Sequence, residues 1–131
     1  MGDDRTTVDP RVRTLIIDDD DDMRSLASAV IRLANEGLEV IGEAADGESG
    51  LDKWRQLRPD VVVVDYRMPG ASGLAVAEEM LAEEPAQPII LFSAYVDAGV
   101  VVAAEQLGVR TVLEKDRYRD LPSALWECVR A

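Results

Sequence analysis

Val61-Val62-Val63-Val64-Asp65-Tyr66-Arg67-Met68-Pro69-Gly70 is the stretch that decides the fold. Four consecutive valines leave no polar face. β-Branched side chains favour extended backbone, and a strand apolar on both faces is one covered on both sides, as in parallel sheets. The run stops at a carboxylate and passes into a Met-Pro-Gly turn. An apolar strand that ends on a reactive polar group, followed by a turn, is therefore the unit to trace through the chain.

That unit recurs. Val12 to Ile17 reads as a first strand and runs straight into five carboxylates, Asp18 to Asp22. Leu38 to Ala44 is a second strand and Val61 to Val64 the third. Ile89 to Phe92 is the fourth, with Ser93 at its end, and Val109 to Leu113 the fifth, with Lys115 just beyond. Helical patterns fall between them. Asp20 to Asn35 carries Leu26, Val30 and Leu33 at three- and four-residue spacing, and Gly37 stands where a helix end wants positive φ. Asp46 caps a helix to about Leu57, which Pro59 ends, and Ser72 caps another to about Glu84. Residues 97–107 form a fourth, closed by Gly108, and Asp120 to Val129 a fifth, with Pro122 tolerated in its first turn. Strands separated by helices imply right-handed crossovers and a parallel sheet. The expected fold class is α/β: a doubly wound, five-stranded parallel sheet with five helices, which binds ligands beyond the carboxyl ends of its strands.

Composition narrows the function. A chain of 131 residues suits one domain, with residues 1–10 as a flexible polar tail and 11–131 as the domain. The formal charge of −12 argues against gripping nucleic acid or anionic lipid. Eight of the 26 acidic residues fall within the first 22 positions, which points to a local site. There is one cysteine, Cys128, and no histidine. Ser-His and Cys-His nucleophile pairs and His-dependent zinc sites are thereby excluded. No apolar run is long enough to span a membrane, and the start is not a signal peptide, so a cytoplasmic location is expected. Met1, Gly2 and Thr6 match the loose myristoylation pattern, for which a polar tail is the better reading.

At the carboxyl edge of such a sheet Asp18, Asp19, Asp65, Ser93 and Lys115 converge. The three carboxylates are hard oxygen ligands suited to Mg²⁺ (or Mn²⁺). Without a cation they would resist being ionised together. Lys115 can neutralise a phosphoryl oxygen and Ser93 can hydrogen-bond another. Asp65 is then the nucleophile that forms an aspartyl phosphate.

The stretches LIIDDDDDMR, DVVVVDYRMPGASG, ILFSA and VLEK, in that order, resemble the receiver domain of two-component response regulators, including the chemotaxis type. The resemblance implies a flavodoxin-like sheet of strand order 2-1-3-4-5. It places the metal-binding acids on Asp18 and Asp19, the phosphoacceptor on Asp65, and a third metal contact on the backbone carbonyl of Arg67. It places the switch hydroxyl on Ser93 and the phosphate-pairing lysine on Lys115. A receiver implies a phosphohistidine donor, on a sensor histidine kinase or a histidine phosphotransfer protein. It implies homodimerisation on phosphorylation as well, and an output reached either as a stand-alone receiver or as the N-terminal part of a DNA-binding regulator. It catalyses only its own phosphorylation and dephosphorylation. Val112 stands where many receivers carry an aromatic switch residue, and Asp116 where proline usually follows the lysine. Arg67 and Tyr95 occupy the two positions that the resemblance links to phosphoryl lifetime.

Simpler readings compete at several positions. Asp20, Asp21 and Asp22 read as a helix N-terminus, where each acid gains ~0.3–1 kcal/mol from the dipole. Trp54, Trp126 and Cys128 read as packing residues. A calcium loop would need Gly at Met23 and Glu at Ala29, so it fails. A haloacid-dehalogenase-like phosphatase would use Asp18 and Asp20, but it wants Thr or Val where Asp22 stands.

Overall fold

The computed structural model describes residues 11–34 and 36–130. The expected tail and the myristoylation pattern lie outside the described residues. Five strands, β1 (Val12–Ile17), β2 (Leu38–Ala44), β3 (Val61–Val64), β4 (Ile89–Ser93) and β5 (Thr111–Glu114), alternate with five helices. These are α1 (Asp21–Ala34), α2 (Gly47–Leu57), α3 (Gly73–Glu83), α4 (Ala98–Leu107) and α5 (Leu121–Arg130). All strand pairs are parallel, in the order β2-β1-β3-β4-β5. This is the flavodoxin-like, doubly wound arrangement.

The alternation of side chains along each strand explains the two layers. Leu15, Ile17, Val62, Val64, Ile89 and Leu91 face α2, α3 and α4, where Trp54, Val76, Met80 and Ala104 complete one apolar layer. Val12, Ile16, Val61, Val63, Ile90 and Phe92 face α1 and α5, against Ile31, Leu121, Leu125 and Cys128. The four valines of β3 are all buried, as a central strand sandwiched between helices requires. Trp54 also donates its indole N–H to Gln87 Oε1 at 2.9 Å, and Trp126 donates to the Glu36 carbonyl at 3.1 Å.

Local chemistry sets the helix ends. Asp46, Ser72 and Asp97 cap α2, α3 and α4 by accepting from backbone amides. Gly37 and Gly108 take positive φ, 79° and 102°. α2 ends differently: Arg58, a non-glycine, adopts φ 48° before Pro59. Arg13 steadies that turn by donating to the carbonyls of Leu57 and Arg58 at 2.8 and 2.7 Å.

The expected boundaries shift in places. β4 takes in Ser93, and β5 starts at Thr111 instead of Val109. The Arg110 guanidinium turns to the carbonyls of Cys128 and Ala86. A 3-10 segment, Lys115–Asp120, leads into α5. It has no apolar periodicity to reveal it.

Candidate functional site

The sheet order reverses between β1 and β3, and the acids gather there. Asp18 follows the last residue of β1 and Asp65 the last of β3. The Asp65 amide donates to the Ile17 carbonyl at 2.9 Å, and the Asp18 amide to the Ala44 carbonyl at 3.0 Å. The sheet hydrogen bonding therefore extends one residue past the strands and fixes both carboxylates side by side. One carboxylate oxygen from each of Asp18, Asp19 and Asp65 lies within 4.8 Å of the others. Asp18 and Asp65 are buried, 3% and 6% exposed, whereas Asp19 is exposed. This gives two acids seated in the protein and one at the solvent rim.

Lys115 enters from the end of β5. Its Nζ lies 2.8 Å from Asp18 Oδ2 and 3.4 Å from Asp65 Oδ2, and the residue is 8% exposed. Burial alone would lower the Lys115 ammonium, but Asp18 and Asp65 outweigh it and hold it above its ordinary value. Asp65 responds the other way. Burial first, and then the Asp18 charge, push its carboxyl up to about 6, with Lys115 pulling it down and Asp19 adding a smaller upward push. A buried acid facing two like charges and one ammonium is short of positive charge.

The turns around the acids are rigidly made. Asp18 Oδ1 accepts from the Asp20 amide at 2.9 Å. Asp20 Oδ1 accepts from the amides of Asp22 and Met23 at 3.0 and 3.2 Å. Asp20 is thus the N-cap of α1, as the simpler reading of Asp20 to Asp22 expects. A dehalogenase-like chemistry would need Asp20 as its second acid, and here that side chain is engaged in capping. Arg24 was not singled out from the sequence. It donates to the Asp18 carbonyl at 2.7 Å, and its Nε lies 3.4 Å from Glu43. It ties the β1–α1 turn to β2. A long cation six residues past Asp18, in the first turns of the helix, is the one signal that marked it.

On the β3 side, Gly73 opens α3 and donates its amide to the Tyr66 carbonyl at 2.7 Å. A Cβ there would lie 2.0 Å from the Asp65 carbonyl oxygen, so only glycine lets the helix start this close to the acid. Arg67 is exposed in the same loop, and its guanidinium carbon sits 5.2 Å from the centroid of the Tyr95 ring. Ser93 is 1% exposed at the end of β4. Its hydroxyl donates to the Tyr95 carbonyl at 3.1 Å and accepts from the Tyr95 amide at 3.3 Å. Asp18, Asp19, Asp65 and Lys115 are therefore brought together. Ser93 reaches the same edge with its hydroxyl turned into its own loop.

A cleft of about 380 Å³ opens at the opposite edge of the sheet, among Trp54, Arg58, Asp60 and Gln87. It lies away from Asp18, Asp19 and Asp65, and within it Trp54 donates to Gln87.

Residues 14–125 match the family described as response regulator receiver domain. The chain is similar to chemotaxis protein CheY of Thermotoga maritima, 34% identical over 79% of this chain and 84% of that protein. It is also similar to protein-glutamate methylesterase/protein-glutamine glutaminase 1 of Syntrophomonas wolfei, 37% identical over 81% of this chain. The match spans only 30% of that longer protein, and 27% of a second methylesterase, from a Nocardioides species. Among solved structures, the signal receiver domain of the response regulator NarL from Mycobacterium tuberculosis superposes with a TM-score of 0.87 at 31% identity. That superposition covers 94% of this chain and 99% of that one.

Proposed function

The chain belongs to the response regulator receiver domains, and from that premise we propose that Asp65 is its phosphoacceptor, loaded from a phosphohistidine on another protein. The single observation that carries this reading is the carboxylate triangle of Asp18, Asp19 and Asp65, with Lys115 bound into it. The donor set is all hard oxygen, and Asp65 is held short of positive charge, so the residues fit a divalent cation. Asp18, Asp19 and Asp65 would hold Mg²⁺ (or Mn²⁺), together with the backbone carbonyl of Arg67. When bound, such an ion supplies charge neutralisation to the transferring phosphoryl oxygens.

The chain's own residues do the rest. An Asp65 carboxylate oxygen attacks phosphorus, the P–N bond to the donor imidazole breaks, and the imidazole leaves and takes up a proton. Lys115, already within reach of Asp65, pairs with a phosphoryl oxygen as a compact charge. Ser93 donates to another, and its movement biases the β4–α4 face toward a second arrangement. The chain holds no histidine, so the phosphohistidine belongs to a sensor histidine kinase or a histidine phosphotransfer protein. The domain signals and turns over no substrate beyond its own phosphorylation and dephosphorylation.

Its output is contact with protein, either with a DNA-binding domain following it in a longer regulator or with a separate target. Phosphorylation then promotes a homodimer, and the charge of −12 keeps this domain itself off nucleic acid. Residues 11–131 act as one domain behind a polar tail, and the location is cytoplasmic; no helix of the described residues is long and apolar enough to cross a membrane.

Acetyl phosphate with Mg²⁺, followed by intact-mass measurement, tests the assignment. The wild type should gain one phosphoryl group and the Asp65→Asn variant none. Equal gain by both would remove Asp65 from the role.

A further inference from the structure

The Ser93 hydroxyl cannot serve two acceptors. It carries one proton, and that proton is directed at the Tyr95 carbonyl, 3.1 Å away. Donation to a phosphoryl group on Asp65 therefore requires the Ser93–Tyr95 hydrogen bond to break. Whatever stabilises that bond sets how readily the domain switches. The usual candidate would be an aromatic residue on β5, but that position is Val112. The partner that Tyr95 does have is Arg67. Its guanidinium lies over the exposed Tyr95 ring at 5.2 Å from the centroid, within the range of a cation–π contact.

We propose that the Arg67–Tyr95 stack is a latch that holds the β4–α4 loop in the arrangement that keeps Ser93 from the phosphoryl site. The stack joins two loops that the site uses separately. Arg67 lies on the β3–α3 loop, two residues beyond Asp65, and Tyr95 lies on the loop that closes Ser93 off. While the ring is held over toward the Asp65 loop, Tyr95 presents its carbonyl and amide to the Ser93 hydroxyl. Release of the ring frees the loop to move, and the hydroxyl with it. Arg67 acts here through Tyr95 and is a positioning residue. The phenol oxygen takes no part, because the attraction is between the guanidinium and the ring face.

The proposal rests on Asp65 being the phosphoacceptor, and the experiment separates the two. Beryllofluoride with Mg²⁺ serves as the phosphoryl probe, titrated calorimetrically into the full chain. Arg67→Ala and Tyr95→Leu should each tighten its binding by about two- to fivefold, the size of one cation–π contact at an exposed site. The double variant should gain no more than either single one, and Tyr95→Phe should match the wild type. In the protein without probe, ring currents should shift the Arg67 δ protons upfield in NMR spectra. That shift should vanish in Tyr95→Leu, and also in the wild type once beryllofluoride is bound. A wild type that binds no beryllofluoride sinks the phosphoacceptor reading, while the δ-proton shift still reports on the stack. The latch is overturned if Arg67→Ala weakens binding, which would mean that the guanidinium serves the anion directly. It is also overturned if the two substitutions act additively, or if the upfield shift persists in the beryllofluoride complex.

Discussion

Asp65→Asn should stabilise the metal-free protein at neutral pH while abolishing its function. Asp65 is 6% exposed, and its carboxyl is raised from 3.8 to about 6, by burial first and by the Asp18 charge second. A carboxyl whose folded pKa exceeds its unfolded one carries an unfavourable charge, fully felt above the folded value and absent below the unfolded one. A gap of about two units corresponds to at most roughly 3 kcal/mol at 1.36 kcal/mol per unit. The variant also gives up the Lys115 contact at 3.4 Å, although Lys115 keeps Asp18 at 2.8 Å. Water reaches the rim of the site, and both corrections reduce the gain to about 1–2 kcal/mol. That is a rise of about 3–8 °C in Tm for a chain of this size. Thermal unfolding followed by circular dichroism in EDTA, from pH 4 to pH 8, is the assay. The variant should lead the wild type above about pH 6, with the lead fading toward pH 4 as Asp65 protonates in the wild type. Added Mg²⁺ should raise the wild type more than the variant. A variant less stable than wild type at pH 7.5 in EDTA, or a lead that is flat across the whole range, would refute the electrostatic reasoning.

Three further outcomes follow from single observations. Among the described residues, Thr14 Oγ1 is buried in β1 with no hydrogen-bond partner, so Thr14→Val should stabilise by about 1 kcal/mol, read as a shift in the urea midpoint at unchanged slope. Gly73→Ala places a Cβ 2.0 Å from the Asp65 carbonyl oxygen; backbone must move, and the expected cost is about 2–4 kcal/mol with loss of phosphoryl gain from acetyl phosphate. Lys115→Met removes a cation that competes for Asp18 and Asp65, so calorimetry should find Mg²⁺ bound roughly tenfold tighter, about 1.4 kcal/mol, while phosphoryl gain slows.

Much of the fold was legible because its signals are local and redundant. β3 announces itself through four valines, and the caps Asp46 and Ser72 sit where the sequence puts them. The acids were legible because a parallel sheet sends every strand end of one sense to one edge, so strand assignment alone groups residues 18, 65, 93 and 115. What stayed hidden depends on where side chains point. The 3-10 segment has no periodicity of its own. Arg58 takes positive φ where a glycine would be the usual sign, because Arg13 binds the carbonyls at that turn from β1. Arg24 is a surface position by pattern, and the resemblance that singles out Arg67 and Tyr95 does not give the stack between them. Their contacts arise only when separate elements meet.

The charges at the site explain why one set of residues can support two states. Asp18, Asp19 and Asp65 with Lys115 leave a net charge of minus two when all are ionised. A divalent cation balances that charge, whereas a monovalent one would not. A phosphoryl group on Asp65 replaces one carboxylate charge with roughly two negative charges, and the balance fails again. Lys115 is the group within reach that can correct it, but in the structure it lies closest to Asp18, at 2.8 Å. On the proposed function it shifts from Asp18 toward Asp65, already 3.4 Å away, when Asp65 is modified. Ser93, whose one proton is held by Tyr95, changes its acceptor too. Both exchanges take place at the ends of β4 and β5, whereas Asp18 and Asp65 are fixed by the hydrogen bonding of β1, β2 and β3. On the proposed function, the half of the sheet that carries Asp18 and Asp65 stays still, and the half that carries Ser93 and Lys115 rearranges.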